Sequence, residues 1–359
     1  MSISSQKISS QNWPDLKYGL GLAFDPATVA WPTGLATAEQ ALAVRAPQGV
    51  TVRAGGTSAV APSDRLAVSH RSAAKVWRVD VPANFRAVEP VVVDTRFNPG
   101  FTAEEIEISV GAGSQVSFVE HGLPVSGSEP AFRSARLRLT AGSGAKVNYV
   151  RLQDAQRSAV EWHESTVLIG AGAEVTWLDA VFGGNFAHAG VVASLVGEGA
   201  AFRHRALTFG DAGQRFDLMA TASHEAARTV SDMAVRGAVA AGAKAIVRGR
   251  VTVKNGTMGC VGRQELRGFI LAPGAEFDAQ PQLETGTEDV RASHAAAVGR
   301  LDREKLFYLM ARGLDRATAV RLLTEAFFAP LLAVMRGSGL EEAAACIITE
   351  RLKALTDRL

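Results

Sequence analysis

The sequence predicts a mainly β protein built as a stack of short strands, a β-solenoid, followed by a small α-helical region. Two observations carry that class. A glycine-led hexapeptide recurs along the middle of the chain, and beyond Leu301 the apolar residues change from strand to helical spacing. The hexapeptide reads GSQVSF from Gly113, GAKVNY from Gly144, GAEVTW from Gly172, GAAFRH from Gly199, GAKAIV from Gly242 and GAEFDA from Gly274, at intervals of 31, 28, 27, 43 and 32 residues. Three residues after each glycine comes Val116, Val147, Val175, Phe202, Ala245 or Phe277, and two further on Phe118, Tyr149, Trp177, His204, Val247 or Ala279. Those two positions share one face of a strand. Each unit therefore predicts a tight turn, where glycine takes a backbone angle other residues resist, opening a short half-buried strand. A β-sandwich gives similar local alternation; the shared template favours the solenoid, in which each coil buries its face on the next.

Taken in order, residues 1–73 form an irregular N-terminal region, with Trp13-Pro14, Pro26 and Trp31-Pro32 and one helix expected around Ala36 to Val44. Residues 74–293 form the β core. Strand-like runs precede the turns at Ile106 to Val110, Leu137 to Leu139, Thr166 to Ile169 and Val191 to Val196. Residues 294–359 form the helical region. Asp302 caps a helix through Leu306, Phe307, Leu309 and Met310 that ends at Arg312-Gly313. Asp315 opens a second helix with Val320, Leu322, Leu323, Ala326 and Phe327 on its apolar side, which Pro330 kinks or ends. After Gly337-Ser338-Gly339 a third carries Ile347, Ile348, Leu352, Leu355 and Leu359 at helical spacing.

Composition narrows the function. With 359 residues, 47% apolar and 21% charged, the chain is long enough for a buried core, and a formal charge of +2 lacks the basic excess of a nucleic-acid binder. Cys260 and Cys346 are too far apart for a CxxC pair and too few for a disulfide framework or an all-cysteine metal site. They fit a reducing compartment. The polar segment Met1 to Gln11 has no apolar core for a secretory signal, and the longest apolar stretch, Ala326 to Met335, is broken by Pro330 and too short to span a bilayer. The expectation is a cytoplasmic protein without a membrane partner.

Catalytic motifs are largely missing. The chain has neither a P-loop signature nor a Gly-Lys pair, so ATP chemistry of that kind falls to a partner. It also lacks the G-x-S-x-G elbow. His163-Glu164 and His224-Glu225 each begin like a zinc-protease motif, but Val167 and Arg228 stand where the second histidine is needed. A lone histidine is more often structural than a ligand, and His204, at a strand position aromatic in earlier coils, reads as packing. Cys346, among alanines and isoleucines, reads as a small core residue, while Cys260, between Gly256 and Gly262, reads as exposed enough to react.

The segment from Gln214 to Gly313 is more specific. Asp217, His224 with Thr229-x-Ser231, Gly237, Gly249, Gln264, Arg267, Pro281-Gln282-Leu283-Glu284, Asp289-Val290, Ser293-His294, Gly299-x-Leu301-Asp302 and Phe307-Tyr308-x-x-x-Arg312-Gly313 follow one another in the order and spacing of a known family. This pattern resembles the SufB/SufD scaffolds of the Suf iron–sulfur cluster assembly machinery. The S-H-A around His294 and Thr285, where SufB proteins hold a cysteine, resemble the SufD branch; Ala292 departs from the cysteine that many SufD proteins carry there. The resemblance implies a right-handed parallel β-helix with a helical domain, non-catalytic, pairing with a SufB-type scaffold and docking a SufC-type ABC ATPase that hydrolyses ATP. It implies docking through Phe307, Tyr308, Arg312, Gly313, Leu322, Phe327 and Phe328, against the plainer reading that these helices cap the open end of the solenoid. It also implies that His294 serves cluster formation at a subunit interface, as an iron ligand completing a site whose thiolates come from the other chain. No stably bound cofactor is expected, only a transient cluster at that interface; a flavin has been associated with such complexes, and no residue here assigns one. A homodimer acting without a paralogue, and a β-helical carbohydrate-active enzyme, are the competing expectations. The second needs paired acids on one outer face, which the strands do not repeat.

Overall fold

The alternation of inward apolar and outward polar residues closes into two nine-stranded sheets that face each other, each parallel except for its first strand. A computed structural model describes residues 42–58, 70–71 and 73–356. One sheet runs β1 (Ala43–Arg45), β4 (Val91–Arg96), β6 (Gln115–Leu123), β8 (Lys146–Gln153), β10 (Glu174–Val181), β12 (Ala201–Gly210), β14 (Val230–Val239), β16 (Cys260–Ile270) and β18 (Val290–Gly299). The other runs β2 (Thr51–Ala54), β3 (Lys75–Val81), β5 (Gly100–Val110), β7 (Ala131–Ala141), β9 (Ala159–Ile169), β11 (Phe186–Leu195), β13 (Arg215–His224), β15 (Lys244–Val253) and β17 (Glu276–Thr285). From β3 onward successive strands alternate between the sheets, so the first is called the even sheet and the second the odd sheet, after the numbers of those strands; the result is a β-solenoid of about eight turns, as the repeat predicts.

The glycine repeat and the topology explain each other. Gly113, Gly144, Gly172 and Gly199 open strands of the even sheet, whereas Gly242 and Gly274 open β15 and β17 of the odd sheet, so the 43-residue interval marks a change of sheet. At the corner before β14 the left-handed turn position is held by Arg228, with φ of +57°, a conformation that favours glycine and hides this coil from a glycine search. Its amide bonds the Met258 carbonyl as that of Gly199 bonds Ala227, so the turns stack as regularly as the strands.

The two ends of the solenoid differ. At the N-terminal end β1 and β2 pair antiparallel to β4 and β3 and close both sheets. Ala43–Arg45 is therefore strand, not the end of a helix, because pairing with Val92–Asp94 overrides local preference; residues 36–41 of the expected helix lie outside the described residues. At the C-terminal end β17 and β18 are the last strands of their sheets; β18 is largely exposed and β17 mostly half-buried.

Three helices follow: α1 (Arg303–Ala311), α2 (Arg316–Leu332) with a 3₁₀ turn at Ala333–Met335, and α3 (Glu341–Thr356). Asp302 and Asp315 cap α1 and α2 as expected, Asp302 accepting from the Glu304 and Lys305 amides. Pro330 does not end α2, which continues to Leu332. The buried face of α2 is Ala319, Val320, Thr324, Phe328 and Leu331, with Phe327 half-buried against the same core, whereas Leu322 and Ala326, expected on the apolar side, are exposed and Leu323 is half-buried. Ile348, Leu352 and Leu355 of α3 are buried, and Leu359 lies outside the described residues. Helices α2 and α3 pack on Val119, Val150, Leu178, Leu207 and Phe209, apolar residues on the outward face of the even sheet. They cover its flank rather than its open end, which corrects the capping expectation. The segment Arg316–Met335 is long and apolar enough to cross a membrane by length and composition, contrary to the reading of Pro330 as its interruption. Its buried residues are committed to this packing.

Candidate functional site

The second repeat position builds one column through the even sheet. In register it runs Phe118, Tyr149, Trp177, His204, Met233, Gln264 and His294. Tyr149 and Trp177 stack at 4.1 Å, and every member up to Gln264 is buried. His294, the last rung, is exposed because no strand covers it. It lies in the middle of β18, which continues to Gly299, beyond the boundary read from the sequence. Beneath it Gln264 donates to the Gln282 carbonyl at 2.7 Å, while its Oε1, buried, has no hydrogen-bond partner among the described residues.

Charged residues that sequence reasoning did not single out fill the solenoid around the early coils. Arg133 donates to Glu104 (2.8 Å), Glu120 (3.2 Å) and Glu161 (2.6 Å). Arg151 donates to Glu161 (2.5 Å) and Asp179 (3.4 Å). Tyr149 donates to Glu120 at 2.7 Å, Thr95 to Glu104 at 3.2 Å and Trp177 to Asp179 at 2.8 Å. Two guanidiniums thus face four carboxylates, with neutral donors supplying the balance of hydrogen bonds. Burial works to raise the Asp179 carboxyl, but the His204 ring 3.7 Å away and Arg151 outweigh it and hold the group at about 2. Glu161 is held low by Arg151 and Arg133 against the same burial cost. The signal was present: Glu120, Arg151 and Asp179 fall two residues beyond the second repeat position after Gly113, Gly144 and Gly172, on the same strand face.

The histidines beside the failed protease motifs are structural in their contacts. Both ring nitrogens of His224 are bonded, Nδ1 with Thr229 (2.7 Å) and Nε2 with Ser231 (2.8 Å), and burial lowers its pKa to about 4. His163 is buried 3.1 Å from Ser165. His204 is buried beside Phe202, ring centroids 6.2 Å apart, consistent with packing.

The cysteine expectations are reversed. Cys260 is buried, because the first residue of β16 points into the core, where its thiol lies 3.3 Å from Thr229 Oγ1. Cys346 is exposed on the outer face of α3, where nearby Glu350, chiefly, raises its thiol pKa. Cys260 pairs with Val290, about 13 Å along the strand from His294 at roughly 3.3 Å per residue. Among the described residues no group of three or more His, Cys, Asp or Glu side chains forms a metal site.

The candidate docking residues separate into two groups. Helix α1 buries no residue, and Phe307 and Tyr308 are 74% and 58% exposed, with Arg312 lying 5.3 Å over the Tyr308 ring and Gly313 closing the helix at φ +92°. Leu322 is exposed nearby in sequence on α2. Phe328 is fully buried in the sheet–helix core and Phe327 stacks on Phe269 at 4.1 Å, so these two hold α2 in place.

Comparison with known proteins agrees with this architecture. Residues 94–327 match the family model described as "SUF system FeS cluster assembly, SufBD core domain". The chain is similar to the iron–sulfur cluster assembly protein SufD of Escherichia coli K12, 23% identical over 84% of this chain and 72% of that protein. It is similar to SufD of Bacillus subtilis 168, 34% identical over 31% of this chain and 25% of that protein. An iron–sulfur cluster assembly SufBD family protein of Staphylococcus saprophyticus is 25% identical over 70% of this chain, which spans only 54% of that relative. A match over most of the solenoid and into the helices, on a chain folded as that repeat predicts, means that the chain belongs to the SufBD family of iron–sulfur cluster assembly proteins.

Proposed function

We propose that this chain is a non-catalytic, cytoplasmic SufD-type scaffold that pairs through the open end of its solenoid with a SufB-type scaffold and docks a SufC-type ATPase on α1. The observation that carries the reading is the asymmetry of the ends. Antiparallel strands close the first coil, while β17 and β18 present free hydrogen-bonding edges, with His294 exposed on the last rung. Open parallel edges are liabilities that proteins normally pair or cover, so a partner's strands are the natural complement. In that pairing His294 supplies an imidazole to a cluster whose thiolates belong to the partner. The exposed Phe307 and Tyr308 supply the aromatic anchors that protein interfaces favour.

Co-purification tests both surfaces. Lysines at Ala295 and Ala297, both exposed on β18, should abolish scaffold pairing, and Phe307→Asp should abolish ATPase capture while leaving pairing intact. Retention of both partners by these variants would reject the reading. A doubled solution mass for the chain alone, unchanged on adding the SufB-type protein, would establish the homodimer instead.

A further inference from the structure

A cavity of about 520 Å³ lies between the outward face of β14, β16 and β18 and helices α1 and α2. Its volume falls within the range of small-molecule sites. Four of its lining residues are cations, Arg236, Arg267, Arg300 and Lys305, against one lining carboxylate, Asp302. Glu265 pairs with Arg267 at 2.5 Å and Asp302 lies 3.8 Å from Lys305, so two positive charges remain uncompensated. Arg236 is the most constrained. One of its Nη groups donates to the Phe327 carbonyl and its guanidinium lies 5.4 Å from the centroid of that ring. Its Nε is buried and has no hydrogen-bond partner among the described residues. A buried donor of that kind costs stability unless an acceptor reaches it. Apolar residues, Phe269, Phe327, Leu323 and Ala326, make up much of the remaining lining. Two other cavities lack this combination: one of about 250 Å³ beside Val88 has Arg336 against Glu89, and one beside His204 has room for about one water.

We propose that this cavity binds an organic phosphate with an apolar or aromatic body, of the nucleoside diphosphate class. The phosphates meet Arg236, Arg267 and Arg300, and the base lies against Phe327, Leu323 and Ala326. An excess charge of two offsets most of the roughly threefold negative charge of a diphosphate, whose several oxygens can reach more than one guanidinium, and the apolar lining distinguishes the site from a simple anion hole. The site uses none of the exposed α1 aromatics, so it stands whether or not α1 meets an ATPase.

The test is calorimetric titration of the full chain with ADP, pyrophosphate and adenosine separately, repeated on Arg267→Ala combined with Arg300→Ala. Both side chains are exposed, so the double variant should melt like the parent. Binding of ADP is expected, with pyrophosphate and adenosine each about tenfold weaker or worse, and a loss of about tenfold or more in the variant. Ala326→Trp, in the apolar lining, should also block it. Absence of ADP binding to the parent chain, equal binding of pyrophosphate and ADP, or unchanged affinity in the double variant would each overturn the proposal.

Discussion

Arg133 donates to Glu161 across 2.6 Å inside the solenoid, and neither side chain is more than 1% exposed. The two are neighbours on adjacent strands of one sheet, and Glu161 ties that sheet to the facing one by also accepting from Arg151. The apolar ladder above and below excludes water, so each charge depends on its partners rather than on solvent. The layer costs desolvation to build, and removing one member leaves the others uncompensated.

Arg133→Met should therefore destabilise the chain by about 3–5 kcal/mol, because three carboxylates lose their shared cation in a sealed interior. Arg133→Met with Glu104→Gln, Glu120→Gln and Glu161→Gln should recover much of the loss. Urea denaturation measures both. A single variant as stable as the parent would show that water reaches the layer.

Acid should act in two stages. Burial holds His70 and His224 to a pKa of about 4, below the unfolded value near 6.5, so the unfolded chain takes up protons that the folded chain refuses. Each histidine then lowers stability by up to roughly 1 kcal/mol per pH unit as pH falls from about 6.5 to about 4. Asp179, near 2 when folded, and Glu161, also lowered, act in the same direction further down: their stabilisation is present above their unfolded values near 4 and is lost as pH falls towards 2. Urea midpoints measured from pH 7 to 4 should fall steadily; a flat profile over that window would contradict the histidine burial.

Much of this fold could be read from the glycines, because a turn that requires a positive φ leaves the same residue at the same place in each coil. The failures have physical causes too. Arg228 hid one coil by adopting glycine's conformation, and the even and odd sheets share one template, so the glycines alone could not assign strands to sheets. Helical periodicity located α2 but not its buried face: Phe327 and Phe328 are both apolar, and only packing on Phe209 and Phe269 distinguishes their roles. His294 was marked by motif, yet its exposure follows from the missing next coil, which a sequence does not display. The buried charges escaped because a strand's charged residue is ordinarily assigned to solvent.

The thiols should react in the opposite order to their sequence surroundings. A maleimide reagent should label Cys346 in the native chain, slowed by the Glu350 charge but accessible, and Cys260 only after denaturant is added. Mass spectrometry of the digested protein reads the two sites separately. Native labelling at Cys260 would place the first turn of β16 in solvent and undo the core described around Thr229.

His204 and His294 occupy the same column three rungs apart, and alanine at each should separate packing from function. His204→Ala leaves a cavity beside Trp177 and Phe202 and removes the ring that helps hold Asp179 ionised, so a loss of about 2–4 kcal/mol is expected in urea denaturation. His294→Ala removes only an exposed ring at the open end, and stability should change by less than about 0.5 kcal/mol. Cluster formation on the complete assembly of scaffolds and ATPase should nevertheless fall sharply for His294→Ala, with pairing retained because the β18 backbone edge is untouched. Cluster absorbance after reconstitution supplies that readout. Normal cluster formation by His294→Ala would confine the residue to the end of a stacking column.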